Sequence, residues 1–171
     1  MKILVMSDSH RDLTNARNVI NTIGKNVDLI IHLGDCEEDV QELISEYPNN
    51  KFEYVKGNCD YNSSHDAKKL LKFGKVKVFI THGHRYNVKW GYDTISYAAE
   101  EQGADVVLFG HTHMPQLVNL GKIKLMNPGS ISQPRGIDIP SYGIMNIDEY
   151  GVIENSIVGV YGRNDFRLLN L

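Results

Sequence analysis

The chain has 171 residues, of which 42% are apolar and 23% charged, with a formal net charge of −3. That length suits one domain, residues 1–171, able to bury a proper core. The absence of a basic run or a long apolar stretch argues against an extended nucleic-acid surface or a membrane anchor. The two cysteines, Cys36 and Cys59, form no disulfide framework, so a reducing, cytoplasmic setting is expected.

Short apolar runs recur along the first two thirds of the chain, each ending in a small or polar cluster. Lys2–Met6 leads into Ser7-Asp8-Ser9-His10, and 27–33 into Gly34-Asp35-Cys36. The run 52–55 leads into Gly57-Asn58-Cys59-Asp60, 76–80 into Thr81-His82-Gly83-His84, and 106–109 into Gly110-His111-Thr112-His113. Their Val, Ile, Leu and Phe content predicts buried strands. Helical spacing lies between them. Leu13, Ala16, Ile20 and Ile23 share a face, with Gly24 as the stop. Val40, Leu43, Ile44 and Tyr47 repeat the pattern before Pro48, and Ile95, Ala98, Ala99 and Gln102 form a weaker stripe closed by Gly103. Strand alternating with helix predicts an α/β layered domain around a largely parallel sheet.

Beyond His113 the texture changes to strands joined by tight turns: 116–120, 122–126, 142–147 and 151–160. These are expected to form an antiparallel meander making a second sheet, with helices outside the pair.

Ligands of open α/β sheets gather beyond the carboxyl ends of strands. Five strands each deliver a metal-capable side chain there: Asp8 with His10, Asp35, Asn58, His82, and His111 with His113. In an extended segment, residues i and i+2 point the same way, so Asp8 and His10 are expected to share a centre. His111 and His113 can do likewise, or serve one centre each if the loop turns. Mixed imidazole, carboxylate and amide donors suit Mn, Fe, Zn, Co or Ni rather than Ca. Seven donors exceed the needs of one ion and suit two, and two dications against two carboxylates attract a phosphate. Taken singly, Asp8 can cap the following helix, Gly34-Asp35 can be a plain turn, and His82 or His111 can be a hydrogen-bonded loop histidine. Five such coincidences at one edge favour a site.

In order and spacing, Asp8-x-His10, Gly34-Asp35, Gly57-Asn58, His82-Gly83 and Gly110-His111-Thr112-His113 resemble the calcineurin-like metallophosphoesterases. The Gly57-Asn58-Cys59-Asp60, Thr81-His82-Gly83-His84 and Asn127-Pro128-Gly129-Ser130 segments look closest to the small bacterial and archaeal phosphodiesterases of that superfamily. The resemblance implies a four-layer α/β/β/α sandwich of two mixed sheets and a di-metal centre, commonly manganese. It implies that Asp8, His10 and His113 hold one ion, that Asn58, His82 and His111 hold the other, and that Asp35 bridges. It further implies in-line attack on phosphorus by a hydroxide between the ions, with Asn58 bearing part of the growing charge.

One position departs from the larger members, which carry a histidine after the Gly-Asn asparagine. Here it is Cys59, a weak acid for an alkoxide leaving group, so activated diesters are the expected substrates. Cys36 and Cys59 can act as a redox gate or simply be small buried residues. His84 can touch substrate or orient a ligand, and Arg135 can reach a phosphate oxygen or stay solvated. Tyr86, Trp90 and Tyr92 can wall the cleft or pack against their own helix. His32, inside a strand, and His65, in a polar loop, are expected to lie apart from the metals. The reading is phosphodiesterase action on a small phosphodiester or nucleotide-type substrate, with a homodimer open. The alternatives are a phosphomonoesterase or nucleotidase, or a non-catalytic interaction module of the same fold.

Overall fold

The computed structural model describes residues 1–171. Eleven strands and three α-helices follow in the order β1 (Lys2–Met6), α1 (Thr14–Ile23), β2 (Leu29–His32), α2 (Glu37–Glu46), β3 (Phe52–Tyr54), β4 (Lys68–Phe73), β5 (Val76–Thr81), α3 (Asp93–Glu100), β6 (Val106–Leu108), β7 (Pro115–Leu120), β8 (Ile123–Pro128), β9 (Ser141–Ile147), β10 (Ile153–Gly162) and β11 (Asp165–Leu168). They build two mixed sheets, β11-β10-β9-β1-β2-β3 and β4-β5-β6-β8-β7. The fold is a four-layer α/β/β/α sandwich.

Period-2 alternation along the strands sorts the side chains into layers. Ile3 and Val5 of β1, with Ile31 and Met145 of the same sheet, face the opposite sheet and join Val78, Ile80, Val106 and Leu108 in the central core. Leu4 and Met6 face the other way and pack with Ala16, Val19 and Ile20 of α1 and Leu43 of α2. On the far side of the second sheet, Phe79, Val107 and Leu125 pack with Ile95 and Ala99 of α3. Three acidic residues in the first turn of α2, Glu37, Glu38 and Asp39, complement its N-terminal dipole.

Several expectations are corrected. The C-terminal strands do not make a second sheet by themselves. β9, β10 and β11 return to extend the first sheet through antiparallel pairing of β9 with β1. The second sheet is instead nucleated by β5 and β6, parallel to each other and to β8. The five site-bearing strands therefore divide three and two between sheets. β4, antiparallel to β5, went unpredicted because its three lysines break the apolar pattern of an edge strand, and β11 is a short edge strand as well. Gly24 does stop α1, which ends at Ile23, but without a left-handed turn. Its φ of −57° is right-handed, and the chain continues as a 3₁₀ turn over Gly24–Asn26. Asp8 caps nothing: α1 begins after Leu13 with no side-chain cap, and the Thr14 N–H is taken by Asp12 instead.

Candidate metal centre

The carboxyl ends of β1, β2 and β3 meet those of β5 and β6 where the two sheets abut, and hydrogen bonds lock the loops together. Within the first sheet, Asp8 N donates to Gly34 O at 3.1 Å, and within the second, Gly110 N donates to His82 O at 3.0 Å. Other bonds cross between the sheets. The His82 ring donates from Nδ1 to Leu33 O at 2.8 Å, and His111 N donates to Asp8 Oδ2 at 3.1 Å.

The loops are not extended. Asp8, His10, Asp35, His111 and His113 all have positive φ, between 45° and 69°. Asp8 and His10 thus do not share a face of extended backbone as expected, yet their side chains do meet, with His10 Nε2 3.9 Å from Asp8 Oδ1. The same left-handed turns separate His111 from His113. His113 faces His10, with ring centroids 4.9 Å apart, while His111 faces His82 at 5.1 Å.

Donor atoms converge around the two carboxylates. Asp8 Oδ1 lies 3.3 Å from His113 Nε2 and 3.9 Å from His82 Nε2. Asp35 Oδ2 lies 3.3 Å from His82 Nε2 and 3.8 Å from His10 Nε2, and Asn58 Oδ1 is 3.1 Å from His82 Nε2. Because His82 and His113 donate from Nδ1 to Leu33 O and Gln133 O, their Nε2 lone pairs are aimed inward, as metal-ligating imidazoles require. His10 Nε2 and His113 Nε2 stand 3.1 Å apart. Asp8 Oδ1 is buried with no hydrogen-bond partner. A buried oxygen facing inward imidazole lone pairs is costly unless a cation sits among them, so the donor set fits divalent metal. Asp8, His10 and His113 form one group able to hold an ion, and Asp8, Asp35 and His82 another.

Electrostatics follow the same geometry. Burial alone would raise Asp8, but contacts with His113, His82 and Ser7 hold its carboxyl below the usual range. Burial likewise opposes, and His82 with the Cys59 N–H overcomes, in lowering Asp35. Burial works against a charged His82, yet Asp35 and Asp8 pull it above the usual imidazole value. His111 is pushed down to about 4 by burial and by His82 and Lys89.

Two glycines permit this packing. A Cβ on Gly57 would lie 2.0 Å from Asp35 Oδ1, and one on Gly110 would lie 2.0 Å from Ser7 Oγ. Only glycine lets the Asn58 and His111 loops approach the two carboxylates so closely.

The remaining candidates divide. Cys59 N donates to Asp35 Oδ1 at 2.9 Å, and the Cys59 thiol groups with His10 and Asp35. Cys59 is exposed and Cys36 half-buried, so the buried-cysteine alternative is overturned. Desolvation and the Asp35 carboxylate push the Cys59 thiol up to about 11, leaving it protonated. His84 sits on a 3₁₀ turn with its ring 5.4 Å from His82 and 6.0 Å from His111, and its Nδ1 is without a partner. Arg135 is tied to the site only through its backbone N–H to His113 O, its side chain exposed. Tyr86 and Tyr92 pack on Phe79 and Phe109, whereas Trp90 is 91% exposed. His65 pairs with Glu37 and Tyr54, away from these donors.

Sequence reading missed the supports. Ser7 Oγ donates to Asp8 Oδ2, and Ser130 Oγ donates to Asp8 O at 2.7 Å. Asn127 Nδ2 donates to Gly110 O and Thr112 Oγ1, both at 2.9 Å. The Asn127-Pro128-Gly129-Ser130 segment therefore ties the β6 loop to the β1 loop. Its appearance in the sequence was the one available signal.

Residues 1–150 match the calcineurin-like phosphoesterase superfamily domain. The chain belongs to that superfamily. This metallophosphoesterase is 36% identical over 148 residues to the probable metallophosphoesterase YsnB of Bacillus subtilis, covering 86% of this chain and 85% of that one. It is 30% identical to the phosphodiesterase YfcE of Escherichia coli, covering 90% and 91%. Among solved structures it is similar to a conserved uncharacterized protein (predicted phosphoesterase) from Streptococcus pneumoniae, with TM-score 0.77, 29% identity and coverage of 98% and 97%. No helix is long and apolar enough to cross a membrane.

Proposed function

We propose that this metallophosphoesterase hydrolyses phosphodiesters with two divalent ions. In this reading Asp8, His10 and His113 hold one ion, Asn58, His82 and His111 hold the other, and Asp35 stands between. The observation that carries it is the buried, unpartnered Asp8 Oδ1 facing the Nε2 atoms of His82 and His113, beside Asp35 Oδ2 with its own imidazole neighbours. The mixed donor set suits Mn, Zn, Fe, Ni or Co, and manganese is taken first because the family resemblance implies it. Such ions, when bound, supply Lewis acidity toward the phosphoryl oxygens and a nucleophilic water at neutral pH.

The protein's own groups do the rest. Leu33 O and Gln133 O accept from Nδ1 of His82 and His113 and so orient both rings with Nε2 inward. The Cys59 N–H holds Asp35 by Oδ1, leaving Oδ2 toward the imidazoles. The Asn58 amide lies at the mouth, suited to receive charge growing on a phosphoryl oxygen. His84, half-exposed beside His82 and His111, and Arg135, exposed two residues beyond the Gln133 carbonyl that holds His113, are the groups assigned to the substrate. A Cys59 thiol that stays protonated to about 11 is a poor proton donor to an alkoxide, which favours esters with good leaving groups. The name of the E. coli relative, a phosphodiesterase, supports the diester reading. The substrate is taken as a small phosphodiester or nucleotide-type molecule, met in the cytoplasm by a one-domain protein able to dimerise.

Apo-protein reconstituted with Mn, Ni, Co, Zn or Mg is assayed on bis(p-nitrophenyl) phosphate and on an alkyl phosphate monoester. Faster turnover of the diester is expected, and the reverse ranking overturns the diester reading.

A further inference from the structure

His32 lies in β2, fully buried, and the chemistry above makes no use of it. Its surroundings fix every hydrogen in a chain of bonds. Gly34 N donates to His32 Nδ1 at 3.3 Å, so the ring proton sits on Nε2. From there it points to Ser9 Oγ at 3.2 Å. The Ser9 hydroxyl, having accepted that proton, donates its own to Asp39 Oδ2 at 2.6 Å. The same Asp39 oxygen accepts Arg11 N at 2.8 Å. Each group gives or receives in one direction only, because both ends of the chain are fixed by backbone N–H donors.

The chain of bonds runs between the two loops that carry the proposed ligands. Gly34 precedes Asp35, and Ser9 lies between Asp8 and His10. Both loops hold consecutive residues at positive φ: His10 and Arg11 in one, Gly34, Asp35 and Cys36 in the other. Backbone of that kind persists only where surrounding contacts over-determine it. Asp39, in the first turn of α2, anchors the far end to a rigid element.

We propose that His32 is a positioning residue that, through Ser9 and Asp39, sets the spacing between the Asp8–His10 loop and the Asp35 loop and so the separation of the two cation sites. This rests on the di-metal reading above. A brace behind metal ligands commonly changes metal affinity or activity by about 10–100-fold when removed.

The test uses the full-length chain and Mn²⁺ as probe, with Ser9→Ala, His32→Asn and the double variant. His32→Asn keeps an acceptor for Gly34 N–H and loses the reach to Ser9, while Ser9→Ala removes the middle of the relay. Calorimetric titration is expected to show two Mn²⁺ per wild-type chain and affinity for at least one site weakened about 10-fold or more in each single variant. The double variant is expected to be no worse than the poorer single, since both cut one chain of bonds. The EPR signal of the exchange-coupled Mn²⁺ pair reports spacing directly and is expected to change. If a single variant is poorly folded, His32→Gln, which keeps the reach to Ser9, is expected to recover more of the wild-type spectrum than His32→Asn. Variants that melt earlier but bind two Mn²⁺ with unchanged affinity and unchanged EPR signal show a merely structural role and overturn the proposal. Wild-type protein that binds no Mn²⁺ overturns the di-metal reading itself.

Discussion

Replacing Gly57 by alanine tests the site without replacing any proposed ligand. The added Cβ would sit 2.0 Å from Asp35 Oδ1, where ordinary van der Waals contact begins at 3.4 Å. It would also lie 2.4 Å from Asp35 N, a backbone atom that cannot swing aside. The loops must therefore part by about 1 Å or more, breaking the 2.9 Å bond from Cys59 N to Asp35 Oδ1. Overpacking of this kind costs about 1–3 kcal/mol in stability. A displacement of about 1 Å at a reacting centre costs about 100-fold in rate. Gly57→Ala is expected to lower the unfolding free energy by that amount, and diester turnover with saturating Mn²⁺ by about 100-fold. Urea unfolding and steady-state hydrolysis of bis(p-nitrophenyl) phosphate provide the readouts. Turnover within about 2-fold of wild type would refute the claim that the loop contact sets the position of Asp35.

Other outcomes follow from the same geometry. Asp35→Asn, which removes a charge flanked by His82 and His10, is expected to cut turnover by at least about 100-fold and to abolish tight Mn²⁺ binding, measured by assay and titration. Ser130→Ala loses the donor to Asp8 O and the acceptor for Gln133 N, and is expected to cost about 1–3 kcal/mol in urea unfolding. His32 is lowered to about 4 by burial, against the pull of Asp8, Asp39 and Asp60 and with some help from His82. The unfolded chain thus takes up this proton first. Its stabilising effect is complete above pH 6.5 and fades as pH falls to about 4, worth up to about 3 kcal/mol. Wild type is expected to lose more stability than His32→Gln across that window, and parallel curves would contradict it. Trp90→Ala, at a 91% exposed position, is expected to change stability by less than about 0.5 kcal/mol in a thermal melt.

The proposed ligands were legible because each stands where an apolar run stops, and that boundary survives in the linear chain. Asp8, Asp35, Asn58, His82 and the His111/His113 pair all lie just past a strand end in the structure. The division of strands between sheets was not legible, because it depends on which edges pair. β1 selects β9, more than a hundred residues away, and β6 selects β8 rather than its neighbour β7. β4 was hidden by Lys68, Lys69 and Lys72, whose long stems tolerate an edge position. The turn geometry at Asp8 and His10 was misjudged because local spacing assumes extended backbone, while Ser130 and Ser132 grip the Asp8 and Ser9 carbonyls from across the chain. The brace through His32 and Asp39 was equally invisible, since serine and histidine carry no sign of their distant partners.

Metal content per chain decides whether the site holds a pair of ions. Protein reconstituted with excess Mn²⁺, separated by gel filtration and analysed by plasma mass spectrometry, is expected to carry two manganese ions per chain, falling to none in Asp35→Asn. Wild-type protein that retains one ion or none, while remaining folded and active on diesters, would contradict the two-ion account.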